Sequence, residues 1–347
     1  MKKNLFVALT FVMAVTASSA SAQGISSQCP AGSTGFGGVP DQKRAAQDAC
    51  QKSIDLFQYM APQLGVLVAG GNATLGQGGT LGGLGKFSAG LRVNALQGSL
   101  PDVDLVVPGV NGAQASTYST QDQILPLPTA DLAIGLFKGL PMGVTNVGGV
   151  DLLVSAAYLP EYSGDFIDVK VPDGSLKLGY GARVGIVQQS FVIPGVSISY
   201  LRRSLPTVSI IGSTAASTGG ARDTLRIDDL NVKTDAIRLV ASKTFLVVGI
   251  AVGVGQDRYE SVGTITAKVA PRAVTVPNGA SAGPVVLSQK MTRTNIFTDV
   301  SLNLPLLKII GEIGQVSGGS ISTYNKFSGK QPDASRIFGS IGIRVSL

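Results

Sequence analysis

The chain has 347 residues, of which 14% are charged and 45 are glycine, and its formal net charge is +7 at pH 7. Soluble domains average about 25% charged residues and about 7% glycine, so this composition is not that of an ordinary soluble domain. The basic residues form no run that would bind nucleic acid, and the absence of histidine excludes Ser-His-Asp hydrolases and His-dependent proteases. We expect no nucleic-acid partner, no enzymatic activity and no cofactor.

Residues 1–22 have the pattern of an export signal. Two lysines precede an apolar run from Leu5 to Val15, and the small residues at 20–22 fit a cleavage site. The apolar run is shorter than the ~20 residues that a membrane-spanning helix needs, so an uncleaved anchor is the weaker alternative. We therefore expect an exported protein that begins near Gln23.

Two cysteines, Cys29 and Cys50, lie close to this expected N-terminus. In an exported chain such a pair indicates one disulfide, and two free thiols are the alternative. The spacing is not C-x-x-C, so a redox centre is not indicated. Two cysteines without histidine do not supply a zinc site, and no metal is expected.

Residues 43–61 are predicted to form a helix within an N-terminal segment that covers residues 23–62. Asp41 is placed to cap the helix and Pro62 to follow its end. Its apolar residues approximate one stripe at helical spacing, and they are Ala45, Ala49, Ile54, Leu56, Phe57 and Met60.

Apolar and polar residues alternate in segments spread over residues 63–347, which predicts β-strands. In 176–188, for example, Leu176 and Tyr180 face one way and Arg183 faces the other. The segments with this pattern are 86–96, 132–140, 151–159, 176–188, 196–204, 236–244, 295–304 and 336–347. Tyrosines at the apolar positions, Tyr158, Tyr180 and Tyr200, are expected to face lipid.

Short and long connections separate the predicted strands. A tight turn is expected at Pro305, and long polar or Gly/Pro-rich connections are expected within 98–127, 212–223 and 271–284. Short turns at one end and long loops at the other are typical of outer-membrane barrels. We therefore predict an all-β fold, an antiparallel transmembrane β-barrel from residue 63 to Leu347. A soluble β-sandwich or β-helix is the alternative, but the polar face of a sandwich strand would carry more Lys, Glu and Asp.

The segment 336–347 resembles the terminal strand that bacterial outer-membrane proteins present to their assembly machinery. Its apolar residues alternate up to Leu347. A final strand that pairs with the first leaves no sheet edge facing lipid. The resemblance implies location in the bacterial outer membrane, contact with its lipid, and the barrel assembly machinery as a partner.

The order of signal, short helical segment and strands resembles that of the long-chain fatty-acid transporter (FadL-like) family, whose barrels have a small N-terminal hatch. The resemblance implies 14 strands, and the shorter chain here also allows 12. It further implies passive uptake of small hydrophobic molecules, gated by residues 23–62. The alternatives are a structural or adhesive barrel without transport and a general porin.

Two sets of residues are candidates for contact with a hydrophobic ligand. The apolar set on the helix is Ile54, Leu56, Phe57 and Tyr59, and the basic set facing the lumen is Arg92, Arg183 and Arg344. Arginines are suited to bind a carboxylate head group. The alternatives are packing of the apolar set against the barrel wall, and ion pairs between the arginines and Asp299 or Glu312.

Overall fold

The computed structural model of the chain describes residues 24–30, 39–215, 220–328 and 331–346. The expected signal segment 1–22, Gln23 and Leu347 lie outside the described residues. Within the described part of the chain, no helix is both long and apolar enough to cross a membrane.

Helix α1 spans Val39–Ala69 and is longer than predicted at both ends. Asp41 lies in its first turn instead of capping it, and Pro62 lies inside the helix instead of following it. A proline inside a helix removes one backbone hydrogen bond and disfavours the preceding turn. Here the residues after it, including Val66 and Val68, are buried, and this packing outweighs the local preference.

The described residues contain ten strands that form a closed ring. They are β1 (Phe87–Pro101), β2 (Thr120–Phe137), β3 (Val150–Tyr158), β4 (Leu176–Val187), β5 (Gly195–Ser204), β6 (Thr224–Phe245), β7 (Val248–Val269), β8 (Ala280–Asn303), β9 (Lys308–Val316) and β10 (Arg336–Ser346). Each strand is antiparallel to its neighbour in the chain, and β10 pairs with β1 to close the ring. The first and last strands therefore pair as the sequence predicts.

The whole sheet has 13 strands within the described residues, inside the expected range of 12–14, but its closed ring has fewer. Three short strands, Tyr162–Ser163, Ile167–Lys170 and Val208–Ser213, extend the sheet beside β6. The ring has few strands for the length of the chain because three of its strands use many residues. Strands β6, β7 and β8 are 22, 22 and 24 residues long. A membrane crossing takes only about 9–11 residues, so these strands continue beyond the membrane. The N-terminal segment is also longer than predicted, because β1 starts at Phe87 and not near residue 63.

The two ends of the barrel differ in their connections. The short turns 188–194, 246–247 and 304–307 lie at one end, together with the longer connection 138–149 and the end of β10. The turn at Pro305 is confirmed. Long connections at 102–119, 159–175, 205–223, 270–279 and 317–335 lie at the other end. Because outer-membrane barrels have short periplasmic turns and longer extracellular loops, we call these the inner end and the outer end.

Shorter elements decorate both ends. At the outer end, the one-turn 3-10 helix Val103–Leu105 precedes Thr117–Tyr118, which pairs in parallel with Lys326–Phe327. At the inner end, Leu140–Met142 and Thr145–Val147 form a small hairpin.

The outward face of the ring carries an apolar belt, whereas the face toward the lumen is apolar in its outer half and largely polar nearer the inner end. In β4, Tyr180 is 62% exposed whereas Arg183 is buried, and Tyr158 and Tyr200 also face outward as predicted. A closed antiparallel ring satisfies its backbone hydrogen bonds internally, and the apolar face suits the hydrocarbon of a bilayer. The chain is therefore an antiparallel β-barrel whose outward face suits a membrane.

Candidate functional site

Helix α1 and residues 70–86 occupy the lumen. We call residues 70–86 the strap, and α1 together with the strap the plug. The helix begins at the outer end, where Asp48 accepts a hydrogen bond of 2.6 Å from the N–H of Gly109. The strap ends at the inner end and continues directly into β1. The plug therefore runs through the lumen from the outer end to the inner end.

The outer half of the plug packs in an apolar core. All four helix residues that were predicted to contact a ligand are buried, namely Ile54, Leu56, Phe57 and Tyr59. The wall supplies apolar residues to the same core, among them Leu96, Leu127, Leu230, Ile265 and Leu287. The ring of Tyr59 stacks on Phe327 with centroids 4.0 Å apart. The apolar set therefore packs against the wall and a loop, the alternative that the sequence also allowed.

Three inward-facing arginines donate hydrogen bonds of 2.8 Å to backbone carbonyls where α1 ends. They are Arg203 (to Ala69), Arg238 (to Gly70 and Gly71) and Arg92 (to Asn72). We call them the arginine cluster. The last carbonyls of a helix lack partners within the helix and carry partial negative charge, so guanidinium groups are favourable there. The cluster therefore fixes the depth of the helix in the lumen.

Two carboxylates, the buried Asp257 and the partly buried Asp131, compensate the charge of the arginine cluster. Asp131 bridges Arg92 at 2.8 Å and Arg203 at 3.1 Å, and Asp257 pairs with Arg238. Buried ion pairs of this kind hold their geometry only when both partners are present, because a lone buried charge is costly. The cluster, its carboxylates and the helix end thus form one interdependent unit.

The other two predicted arginines act on the strap. Arg183 pairs with Asp151 at 2.7 Å, and Asp151 also accepts the N–H of Leu81 at 3.1 Å. Arg344 donates to the carbonyl of Leu75. Arg92, Arg183 and Arg344 therefore face the lumen as predicted, but their partners are Asp131, Asp151 and strap backbone instead of Asp299 or Glu312.

Asp299 and Glu312 bind the strap directly. Asp299 accepts the side-chain amide of Asn72 at 2.6 Å and the N–H of Gly76 at 2.8 Å, and Glu312 accepts the N–H of Asn72 at 2.6 Å. A Cβ on Gly71 would lie 2.4 Å from the Glu312 carboxyl group. Glycine at this position lets the strap approach the wall closely enough for these bonds.

A buried carboxylate joins the helix to a long connection at the outer end. Asp55 accepts hydrogen bonds from the N–H groups of Tyr324 and Asn325, at 3.2 and 2.9 Å, and from the Asn325 side chain at 2.6 Å. Gln51 donates a further bond of 3.0 Å. Burial raises the pKa of Asp55 to about 6 although these donors favour the charged form. We call this contact the outer latch.

The predicted disulfide lies at the same end of the barrel. Cys29 and Cys50 are bonded, with Cα atoms 5.6 Å apart. Gln28 donates a hydrogen bond of 3.5 Å to the carbonyl of Val286, near the outer start of β8. Residues 24–30 are therefore held at the outer end, on the side opposite to the start of β1.

Sequence reasoning missed several residues of the site, including Arg203, Arg238, Asp131 and Asp55. The alternation of apolar and polar residues places Arg203, Arg238 and Asp131 at positions that face the lumen, so this orientation could be predicted from the sequence. Their grouping was not visible, because it depends on the register between strands and on where α1 ends. Among the described residues, no three His, Cys, Asp or Glu side chains are grouped as a metal-ion site would require.

No protein-family model matches the chain, and no curated protein matches it. Solved outer-membrane barrels are similar to it in fold. The outer membrane protease OmpT from Escherichia coli has 9% identity and a TM-score of 0.39, covering 76% of this chain and 97% of that chain. A deletion mutant of the monoaromatic hydrocarbon channel TodX has 10% identity and a TM-score of 0.32, covering 81% and 74%. The transport unit of the autotransporter AIDA-I from Escherichia coli has 9% identity and a TM-score of 0.30, covering 86% and 98%.

Proposed function

We propose that the protein is an outer-membrane channel for the passive uptake of small hydrophobic molecules, and that the plug closes it at rest. The observation that carries the proposal is the apolar lining of the outer half of the lumen. A water-filled porin has a polar interior. Here, movement of α1 would expose wall residues such as Leu96, Leu127 and Leu287 to the lumen, a surface that suits apolar molecules. No catalytic step is included in this proposal.

The arginine cluster supports a second candidate, a structural barrel that never opens. Its bonds to the end of α1 join the plug to β1, β5 and β6 at once. Opening requires these bonds to break or the helix to pivot around them. The two candidates therefore differ in one property, the mobility of the plug.

An engineered crosslink tests that property. A Cβ on Gly185 would lie 3.6 Å from the Cβ of Thr80, within the ~3.5–4.5 Å that a disulfide requires. Thr80→Cys with Gly185→Cys would join the strap to β4. The measurement is uptake into proteoliposomes of a fatty acid, an aromatic hydrocarbon and a hydrophilic sugar, with the protein oxidised and then reduced.

We expect the oxidised variant to take up none of the three solutes, and the reduced variant to take up the hydrophobic two. Wild-type protein with the same reductant controls for reduction of Cys29–Cys50. Hydrophobic uptake through the oxidised variant would contradict gating by the strap. Uptake of nothing by the wild type would favour the structural barrel, and equal uptake of the sugar would indicate a porin.

A further inference from the structure

A group of charged side chains lies on the outward face of β5, β6, β7 and β8. Its basic members are Arg202, Lys233, Arg258 and Lys290, and its acidic members are Asp235 and Glu260. All six are partly or fully exposed. We call this group the rim patch.

Strand register brings the members of the rim patch together. Asp235 lies directly between Arg202 and Arg258 on neighbouring strands. Glu260 lies in the same way between Lys233 and Lys290. Opposite residues in a sheet are about 4.5–5.5 Å apart, so the patch is a contiguous surface in two rows. Four basic against two acidic groups leave it net positive.

The acidic members orient some of the basic ones. Lys290 contacts Glu260 at 2.9 Å, and Arg202 lies 3.7 Å from Asp235, which also accepts the Tyr200 hydroxyl at 2.5 Å. These pairs are solvent-exposed and contribute little to stability. Because the partners remain accessible, they can bind an additional anion.

The rim patch lies at the upper edge of the apolar belt. On the same outward face, the next two rows of residues toward the inner end lie below the patch. They include Ile237, Leu239 and Val254, which are exposed and apolar. At ~3.4 Å per residue and a tilt of ~40°, the roughly ten residues from Val248 to Arg258 rise about 26 Å, close to the ~25 Å height of an apolar band. The patch is therefore at the level of the lipid head groups of the outer leaflet.

A groove opens at this boundary between charge and belt. It has a volume of about 540 Å³, and its lining includes Tyr200, Ile237, Arg258 and Lys290. The lining also includes Asp235, Gln256 and Thr292, so the groove joins apolar and polar residues below to a charged edge with two basic groups and one acidic group. This combination matches a lipid whose acyl chains lie along the belt and whose head group carries phosphate.

We propose that the rim patch binds the phosphorylated head group of an outer-leaflet lipid. Arg258 and Lys290 would donate to the phosphate oxygens, with Lys233 and Arg202 on either side. Charge-assisted hydrogen bonds from Arg and Lys are the usual means of phosphate recognition. The acyl chains would lie against Ile237 and Leu239. The site is on the lipid face and is independent of the plug.

Binding of bisphosphorylated lipid A to the folded protein in nonionic detergent tests the proposal. We expect binding that is at least about tenfold tighter than binding of the same lipid without phosphates, and that weakens as salt is raised. Arg258→Gln with Lys290→Gln should weaken it by about 30-fold, as expected for two basic groups at a membrane surface. Lys138→Gln with Lys268→Gln removes the same charge from exposed positions outside the patch and should leave binding unchanged.

Three results would overturn the proposal. They are equal binding of the phosphate-free lipid, an equal loss in the control variant, and complete competition by inorganic phosphate, which would make the site one for free anions. If the patch variant does not fold, as judged by heat-modifiable gel mobility, the salt dependence of the wild type decides. Binding that does not change with salt would then exclude recognition of phosphate by charge.

Discussion

Asp55 is a carboxylate enclosed by donors, and it joins α1 to a connection that is distant in sequence. Four hydrogen bonds to one side chain normally hold a carboxylate in its charged form. At this position the loss of solvent is the larger effect, and the pKa rises from 3.8 to about 6. The outer latch therefore takes up a proton more readily than the same residue in an unfolded chain.

The outer latch should make stability dependent on pH. Because the folded state binds the Asp55 proton more tightly, this contribution is fully present below the unfolded pKa of 3.8 and is lost as pH rises through about 6. We expect the free energy of unfolding to fall by on the order of 2 kcal/mol between about pH 4 and about pH 7. Asp55→Asn should remove this slope in thermal melts, whereas Asp41→Asn on the same helix should keep it. An unchanged slope in Asp55→Asn would refute the assignment.

Arg238 is the residue of the arginine cluster with the most partners. It donates to Gly70 and Gly71 and pairs with Asp257. Arg238→Gln would leave a buried carboxylate without its cation, and we expect a loss of about 3–5 kcal/mol in unfolding free energy. Arg226→Gln on the same strand removes an exposed arginine paired with Asp228 and should cost about 1 kcal/mol or less. Equal losses in urea titrations would show that the cluster does not hold the plug.

At the scale of elements, the alternation of apolar and polar residues was enough to predict where most of the barrel strands lie in the chain. The segments 176–188 and 196–204 became β4 and β5 with nearly the predicted bounds. The end of α1 was wrong, because Pro62 is a local signal for termination and the packing that overrides it comes from distant strands. The number of strands in the ring could not be predicted, because the alternation does not show how far a strand continues beyond the membrane. For the site, inward position could be read from the sequence but partners could not.

Close contact between α1 and the wall depends on Gly65. A Cβ there would lie 2.7 Å from the ring of Tyr259 on β7. Gly65→Val should overpack this contact and destabilise the protein by about 1–3 kcal/mol, despite the better helix propensity of valine. Gly311 on β9 has open space around its Cβ position, so Gly311→Val is a matched control with little expected effect. The check is the midpoint of urea unfolding, and equal midpoints for the two variants would mean that α1 is loosely packed.

At the scale of the whole molecule, the plug and the wall form a single folded unit. The apolar core contains residues of α1 and of most strands, and the polar inner half is joined by the arginines and carboxylates described above. The ring closes where β10 pairs with β1, and β1 is covalently continuous with the strap. Pairing of β10 with β1 therefore also fixes where the end of the plug lies.

The direction of the chain through the lumen has a topological consequence. Residues 24–30 are at the outer end, whereas the start of β1 and the end of β10 are at the inner end. A peptide fused ahead of Gly24 should therefore be carried across the membrane and displayed on the cell surface. We expect antibody to label an epitope there on intact cells and external protease to remove it, and an epitope inserted after Gly143 in an inner turn to be labelled only after permeabilisation. Such a barrel would carry a short peptide attached ahead of Gly24 to the outer side of the membrane as it folds.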